Sequence, residues 1–242
     1  MATGSNPIHN CMLLNKHLTT YPGEFDKYQE RYLRNSFGMG PTDRNLDNDL
    51  IREMLDELGL IPDDRNLYLD FIKLLEEVHP DFRDKTIVEI GSGILPRLGE
   101  RISKQMKNGR IILFDPLISK YKQDTDKMTI VRDKAKVRDK TFNWGEVDLF
   151  VALKPCGGAN DLIDIVRVYG TDFILGLCEG GPHGDEFDFY ESDDEWIDST
   201  ILYAERQVEE KGMGQLVKTR LDKPYYDYPI IYNRRNNNSG VK

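Results

Sequence analysis

Cysteine is scarce in this chain: Cys11, Cys156 and Cys178 are the only three in 242 residues, an odd number with no Cys-x-x-Cys pair. That argues against a disulfide framework and against a zinc site, and it makes a reducing, cytoplasmic compartment the expectation. Long apolar runs are missing as well. None approaches the roughly 20 residues a membrane helix needs, so no membrane partner is expected. The opening Met-Ala-Thr-Gly-Ser-Asn-Pro lacks the basic-then-apolar pattern of a signal peptide and is set aside from fold reasoning. Positive charge is outweighed, with 33 Lys and Arg against 42 Asp and Glu and a net charge of −9. That balance opposes non-specific affinity for phosphate backbones, which rests on clustered cations. There are no internal repeats.

What is present is an ordinary globular balance, 39% hydrophobic and 31% charged, and enough length for one α/β domain with a full core plus an N-terminal extension. The chain is organised around Thr86 to Arg97. Ile87-Val88-Glu89-Ile90 reads as a short buried strand, and Gly91-Ser92-Gly93 follows at once as a tight turn poor in side chains. Pro96 suits the first turn of the helix that comes next. Glycines at such a turn let a ligand approach the backbone, and free N–H groups at the helix start favour its polar or anionic groups. A nucleotide-like cofactor follows as the first hypothesis.

Before that strand, Phe25, Tyr28, Tyr32 and Leu33 predict a short packed helix, and Leu46, Leu50, Met54, Leu55 and Leu58 a second one. A third, capped by Asn66 and ended by Pro80, turns Tyr68, Phe71, Ile72, Leu75 and Val78 inward. After it come strands at 110–115, 128–131, 147–153 and 173–178, with a helix capped by Asn160 and closed by Gly170 between the last two. The second strand ends in Asp115, 22 positions beyond Gly93, near the spacing at which an acidic residue reaches ribose hydroxyls in dinucleotide-type folds. Residues 183 to 195 hold seven carboxylates beside His183, a run that reads as a solvated loop and a helix start in preference to a divalent-metal site. Ser192 with Glu195 forms a capping box for a helix through Trp196, Ile197, Ile201, Leu202 and Val208. Segments 214–221 and 225–232 read as an antiparallel pair joined by Asp222-Lys223-Pro224, and the polar tail from Asn233 is expected to be disordered. Arg132, Lys134, Lys136, Arg138 and Lys140 form a local basic stretch that reads as a solvated face.

A series of βα units, a final helix and a terminal β-pair, with Val-Glu-Ile-Gly-Ser-Gly in the first turn and an acid ending the second strand, resembles the class I S-adenosylmethionine-dependent methyltransferases. The resemblance covers about residues 64–235. It implies a doubly wound, mostly parallel seven-stranded sheet with an antiparallel C-terminal strand. Residues 1–63 then form an N-terminal extension and helical cap, and 236–242 a disordered tail. It further implies that Glu89, Gly91, Ser92 and Gly93 hold the methionine end of S-adenosyl-L-methionine, that Asp115 accepts from its ribose, that Asp133 sits near the adenine amino group, and that Leu153 completes the donor contacts. The usual third glycine place is Leu95, a departure from the pattern.

Where the family places substrate chemistry this chain has Leu153-Lys154-Pro155-Cys156-Gly157-Gly158, and the Asn/Asp-Pro-Pro-Tyr/Phe signature of amino-group methyltransferases is absent. The segment is similar to a His-x-Cys-Gly pattern of one methyltransferase branch, with Lys154 in place of histidine. It is similar also to the Pro-Cys of cytosine-C5 methyltransferases, whose surrounding motifs are missing. Lys154, as a steering cation or a base, and Cys156, as a thiol nucleophile or a small buried hydrophobe, are therefore the catalytic candidates. Two rivals stay open: a catalytically degenerate donor-binding partner module, and a nicotinamide-dependent oxidoreductase. The second is disfavoured by the terminal hairpin and by the lack of an evident Tyr-x-x-x-Lys pair. The acceptor, whether small molecule, protein side chain or RNA, is left open, as is the oligomeric state.

Overall fold

The computed structural model describes residues 65–93, 95–118, 122–137, 142–155, 158–177, 193–221 and 229–235, all of which belong to one compact unit of the chain. The two helices expected before residue 61, the carboxylates of 183–192 with Ser192, both Cys156 and Cys178, and the expected strand start at Tyr225 lie outside the described residues.

Seven strands form one sheet: β1 (Thr86–Ile90), β2 (Arg110–Phe114), β3 (Met128–Val131), β4 (Leu149–Leu153), β5 (Asp172–Gly176), β6 (Gln215–Thr219) and β7 (Ile230–Arg234). Their spatial order is β3-β2-β1-β4-β5-β7-β6. β1 to β5 run parallel, and β7 is antiparallel to both β5 and β6. The doubly wound, mostly parallel sheet with an antiparallel terminal strand is thus present as expected. β1, β2, β4 and β5 are apolar on both faces, the mark of central parallel strands covered on each side.

Side chains alternate between two cores. Ile87, Ile111, Leu113, Leu149, Val151 and Ile174 join Phe71 and Leu75 of α1 (Arg65–Val78) and Leu98 and Ile102 of α2 (Arg97–Ser103). Val88, Ile112, Phe114, Phe150, Phe173 and Leu175 join Leu162, Ile165 and Val166 of α3 (Gly158–Tyr169) and Trp196 and Val208 of α4 (Asp193–Glu210). Burying one such side chain stabilises the fold by about 1.5–3 kcal/mol, so each face is held by many comparable contributions. Glu89 falls on the first face by the same alternation, although it is a carboxylate.

Several local expectations are corrected. Asn66 and Asn160 are not caps: α1 begins at Arg65, and α3 begins at Gly158, whose N–H donates to Pro155 O at 2.9 Å. β4 starts at Leu149 because Asn143 Oδ1 accepts from the Gly145 N–H and holds 144–146 as a tight turn just before it. Leu202 points outward and is exposed on α4. Arg132 is not a free surface cation, since its guanidinium donates to Ile118 O and Lys122 O. The largest correction is at the end. β7 runs through Asn233 and Arg234, which the polar composition assigned to a disordered tail. Asn233 is only 1% exposed: its Oδ1 accepts from Phe173 N–H at 2.8 Å, and its Nδ2 donates to Asp172 Oδ1 and to Met213 O.

Candidate functional site

The order of the sheet reverses between β1 and β4, and in open α/β sheets ligands bind outside the carboxyl ends of the strands at that switch point. The turn after β1 lies there. Gly91 and Gly93 have φ of +74° and +71°, a region that side chains with a Cβ seldom adopt. A Cβ on Gly91 would stand 2.6 Å from Pro155 Cα, so the loops after β1 and β4 touch, and only a glycine permits it. On Gly93 a Cβ would meet nothing within 4 Å. One glycine closes a backbone contact, then, and the other borders open space.

Asp115 joins this turn to the end of β2. Its Oδ2 accepts from the Gly93 N–H at 2.8 Å, and its Oδ1 from the Leu117 N–H at 2.7 Å. Each oxygen keeps further acceptor capacity on a partly exposed carboxylate. Leu117, two residues on, is largely exposed beside it.

Glu89 lies beneath the turn, 2% exposed. Burial pushes its carboxyl up to about 8, and the nearby charges of Asp115 and Glu100 act in the same direction. The adjacent Ser92 hydroxyl and Gly99 amide oppose that rise only in part. Among the described residues Glu89 Oε2, which faces Gly99, and the buried Ser92 Oγ have no well-formed hydrogen bond, although the hydroxyl acts on the Glu89 carboxyl. A buried polar atom left unmet costs about 1–3 kcal/mol, so the carboxyl is open to a proton or a bound partner.

Sequence reading missed Gly99. A Cβ there would lie 2.4 Å from Leu113 Cδ2 and 2.5 Å from Glu89 Oε2, so this glycine lets α2 press onto the sheet over the carboxylate. Close helix–strand packing is the task of the third glycine in glycine-rich nucleotide turns. Here Gly99 does it, which accounts for Leu95 standing at the usual place. A glycine inside a helix, against propensity, was the available signal. Pro155 and Glu100 were also missed; Glu100 pairs with Lys122 at 3.0 Å.

The remaining candidates are less tightly gathered. Leu153 is buried at the end of β4. Lys154 follows it, exposed, with φ +56°, the only non-glycine residue of positive φ among those described, and its N–H donates to Gly176 O at 2.9 Å. Asp133 lies beyond β3, two strands from the glycine turn, exposed, with Oδ1 accepting from the Lys134 N–H. The structure brings together Glu89, Gly91, Ser92, Gly93 and Asp115 at the carboxyl ends of β1 and β2, and Asp133 follows the carboxyl end of the next strand, where the Asp115 N–H donates to Val131 O at 3.2 Å. Cys156 lies outside the described residues.

No protein-family model matches the chain, and no curated protein matches it. Solved structures do. A proposed S-adenosyl-L-methionine-dependent methyltransferase from Methanococcus maripaludis matches with a TM-score of 0.50 at 14% identity, over 84% of this chain and 100% of that one. The chain has the class I methyltransferase fold. A proposed O-methyltransferase from Klebsiella pneumoniae matches at 16% identity over 85% of this chain and 95% of that one, TM-score 0.45. Aeropyrum pernix fibrillarin, solved with natively bound S-adenosyl-L-methionine, matches at 15% identity over 62% of this chain and 66% of that one, TM-score 0.41. At these identities the likeness is one of fold. No helix among the described residues is long and apolar enough to cross a membrane.

Proposed function

We propose that the chain is an S-adenosyl-L-methionine-dependent methyltransferase, with residues 64–235 as its donor-binding domain. The observation that supports this most is the Gly93 N–H held on Asp115 Oδ2 at 2.8 Å at the switch point of the sheet. This bond ties a side-chain-free turn to a carboxylate with spare acceptor capacity for ribose hydroxyls. The residues fit the donor. Open space borders Gly93, and the buried carboxyl of Glu89 with the Ser92 hydroxyl of the turn supplies polar groups suited to the cationic methionine end. When bound, the donor supplies an electrophilic methyl carbon on a sulfonium.

Transfer of that methyl group is an in-line displacement, so the chain's work is to bind, align and exclude water. Gly91 and Pro155 fix the two loops that frame the turn. Lys154, exposed beside them, suits steering of an anionic acceptor, and Cys156 is the neighbouring thiol. The antiparallel β7 favours this reading over a nicotinamide-dependent oxidoreductase.

Calorimetric titration with S-adenosylmethionine, S-adenosylhomocysteine and NADH tests the proposal. Binding of the sulfonium donor and of its thioether product is expected, weakened more than about tenfold in Asp115→Ala, a loss of about 1.4 kcal/mol that matches removal of one charged hydrogen bond. Binding of NADH alone would overturn it. Donor binding with no labelled methyl passed to any acceptor pool would point instead to a partner module.

A further inference from the structure

The donor turn stands over an unbalanced set of charges. Glu89 is packed on four sides: by α2 at Gly99, by Leu113 of β2, by Val151 of β4 opposite it in the sheet, and by Ser92 of the turn above. The charged groups that reach it are Asp115 at the end of β2 and Glu100 on α2, both carboxylates. Lys122, the nearest partner of Glu100, is engaged with Glu100 at 3.0 Å. Three acids therefore converge on the turn, and the innermost has an oxygen without a hydrogen-bond partner.

A carboxyl in such a place is neutral by preference, because burial and like charges both oppose ionisation. A cation brought within about 4–6 Å reverses that balance. We infer that Glu89 holds a proton while the turn is empty and gives it up when the ammonium and sulfonium end of the donor settles above it, so that donor binding releases a proton. The inference rests on the donor-binding reading given above. The carboxyl near 8 in the empty protein agrees with it. Glu89 acts here by charge across the turn and as a positioning residue. The O–H bond of its carboxyl breaks, the proton passes to solvent, and the carboxylate left behind is balanced by the ligand's positive charge.

Proton linkage gives this a direct readout. Titrations with S-adenosylmethionine at pH 7, in buffers of differing ionisation enthalpy, are expected to yield close to one proton released per ligand. From about pH 6 to pH 7 the affinity is expected to rise nearly tenfold, levelling off above the carboxyl value. 5′-Methylthioadenosine, which lacks the amino-acid end, is expected to bind without release. Glu89→Gln, which carries no acidic proton, is expected to bind with release near zero. Should that variant fail to fold, infrared difference spectra of the unaltered protein provide the same answer, through loss of a protonated carboxyl band on binding. Binding by the unaltered protein with no proton released, or equal release with methylthioadenosine, would overturn the inference and leave the donor site standing. No binding at any pH would remove both.

Discussion

Glu89 and Asn233 are two polar side chains buried to the same degree at opposite ends of the strands of one sheet, Glu89 near the carboxyl end of β1 and Asn233 level with the start of β5, and they are treated in opposite ways. Asn233, 1% exposed, uses both of its amide ends: Phe173 N–H, Asp172 and Met213 O close every direction, and Arg235 steadies Asp172 at 2.7 Å. Glu89, 2% exposed, keeps Oε2 unpaired under a turn with two positive-φ glycines. A buried polar group that is fully paired specifies a fold, because any other arrangement leaves a donor or acceptor unmet. A buried polar group left unpaired is a cost that only a ligand or a proton removes. The difference separates the end of the strands that holds the molecule together from the end that is prepared to bind.

The largest effect that tests this contrast is the pH dependence of stability through Glu89. Unfolded, its carboxyl titrates near 4.5; folded, it is pushed up to about 8. Between those values the folded state binds more protons, so the stability this group contributes is complete below pH 4.5 and is lost as pH rises through 8. The loss is on the order of 4 kcal/mol. Urea unfolding at about pH 5 and pH 8.5 should show it, and Glu89→Gln should flatten that part of the profile. Equal slopes in the two proteins would mean that Glu89 is solvated in the folded state, and the contrast with Asn233 would fail.

Next is Asn233→Ala. It strands the Phe173 N–H and Met213 O and removes one donor from Asp172, for a loss of about 3 kcal/mol. For a chain of this size that lowers Tm by roughly 6–12 °C. Donor affinity, measured at a temperature where the variant is folded, should stay unchanged, because Asn233 lies level with the start of β5, at the other end of the strands from the glycine turn. A fall in affinity would couple the two ends.

The same pair of residues marks what was legible in the sequence. The strands were, because β-branched runs such as Ile87-Val88 and Arg110-Ile111-Ile112-Leu113-Phe114 are bounded by glycine, asparagine and aspartate. The turn and Asp115 were, because a glycine-rich turn between strand and helix and the spacing to the acid are local features. Asn233 was not. It stands in Tyr-Asn-Arg-Arg-Asn-Asn-Asn, where composition reads as a solvated tail, and its burial depends on partners 60 and 61 positions away. Gly99 escaped for the same reason, since what forbids a side chain there is Leu113 and Glu89 on other elements. Local pattern reports the chain's own preferences, and long-range pairing overrides them.

Within the turn, Gly91→Ala and Gly93→Ala divide the two roles of the binding end of the strands. Both carry the cost of a positive φ, about 1–2 kcal/mol for a residue with a Cβ. Only at Gly91 does the added carbon strike Pro155 backbone at 2.6 Å, so about 1–3 kcal/mol of overpacking is added. Gly91→Ala should therefore lower stability clearly more than Gly93→Ala in the same denaturant series. Gly93→Ala should spare the fold and weaken the donor, because its methyl group enters the space the ligand would use. Equal losses of stability would show that Gly93 is packed and that the open space above it is not a binding site.

The smallest effect probes the exception. His79 is buried at the same end of the strands as Asn233, and among the described residues its Nε2 has no hydrogen-bond partner, which sets it beside Glu89 and against Asn233. Burial lowers its pKa below the usual 6.5, and Lys85 and Arg235 add to this, while Asp172 and Asp81 oppose them. Its environment therefore mixes both signs, unlike the carboxylates around Glu89, and the neutral ring is the stable form. As pH falls below 6.5 the unfolded chain takes up a proton that the folded one refuses, so stability drops on the acid side, the reverse of the direction set by Glu89. In Glu89→Gln, where the larger and opposite trend is removed, unfolding curves at about pH 7.5 and pH 5.5 should show the drop, and a shallower one when His79→Gln is added, with donor affinity at pH 7.5 the same in His79→Gln as in the parent. If His79→Gln instead weakens donor binding, an unpaired atom at this end of the strands serves the ligand too, and the division between a holding end and a binding end would have to be redrawn around His79.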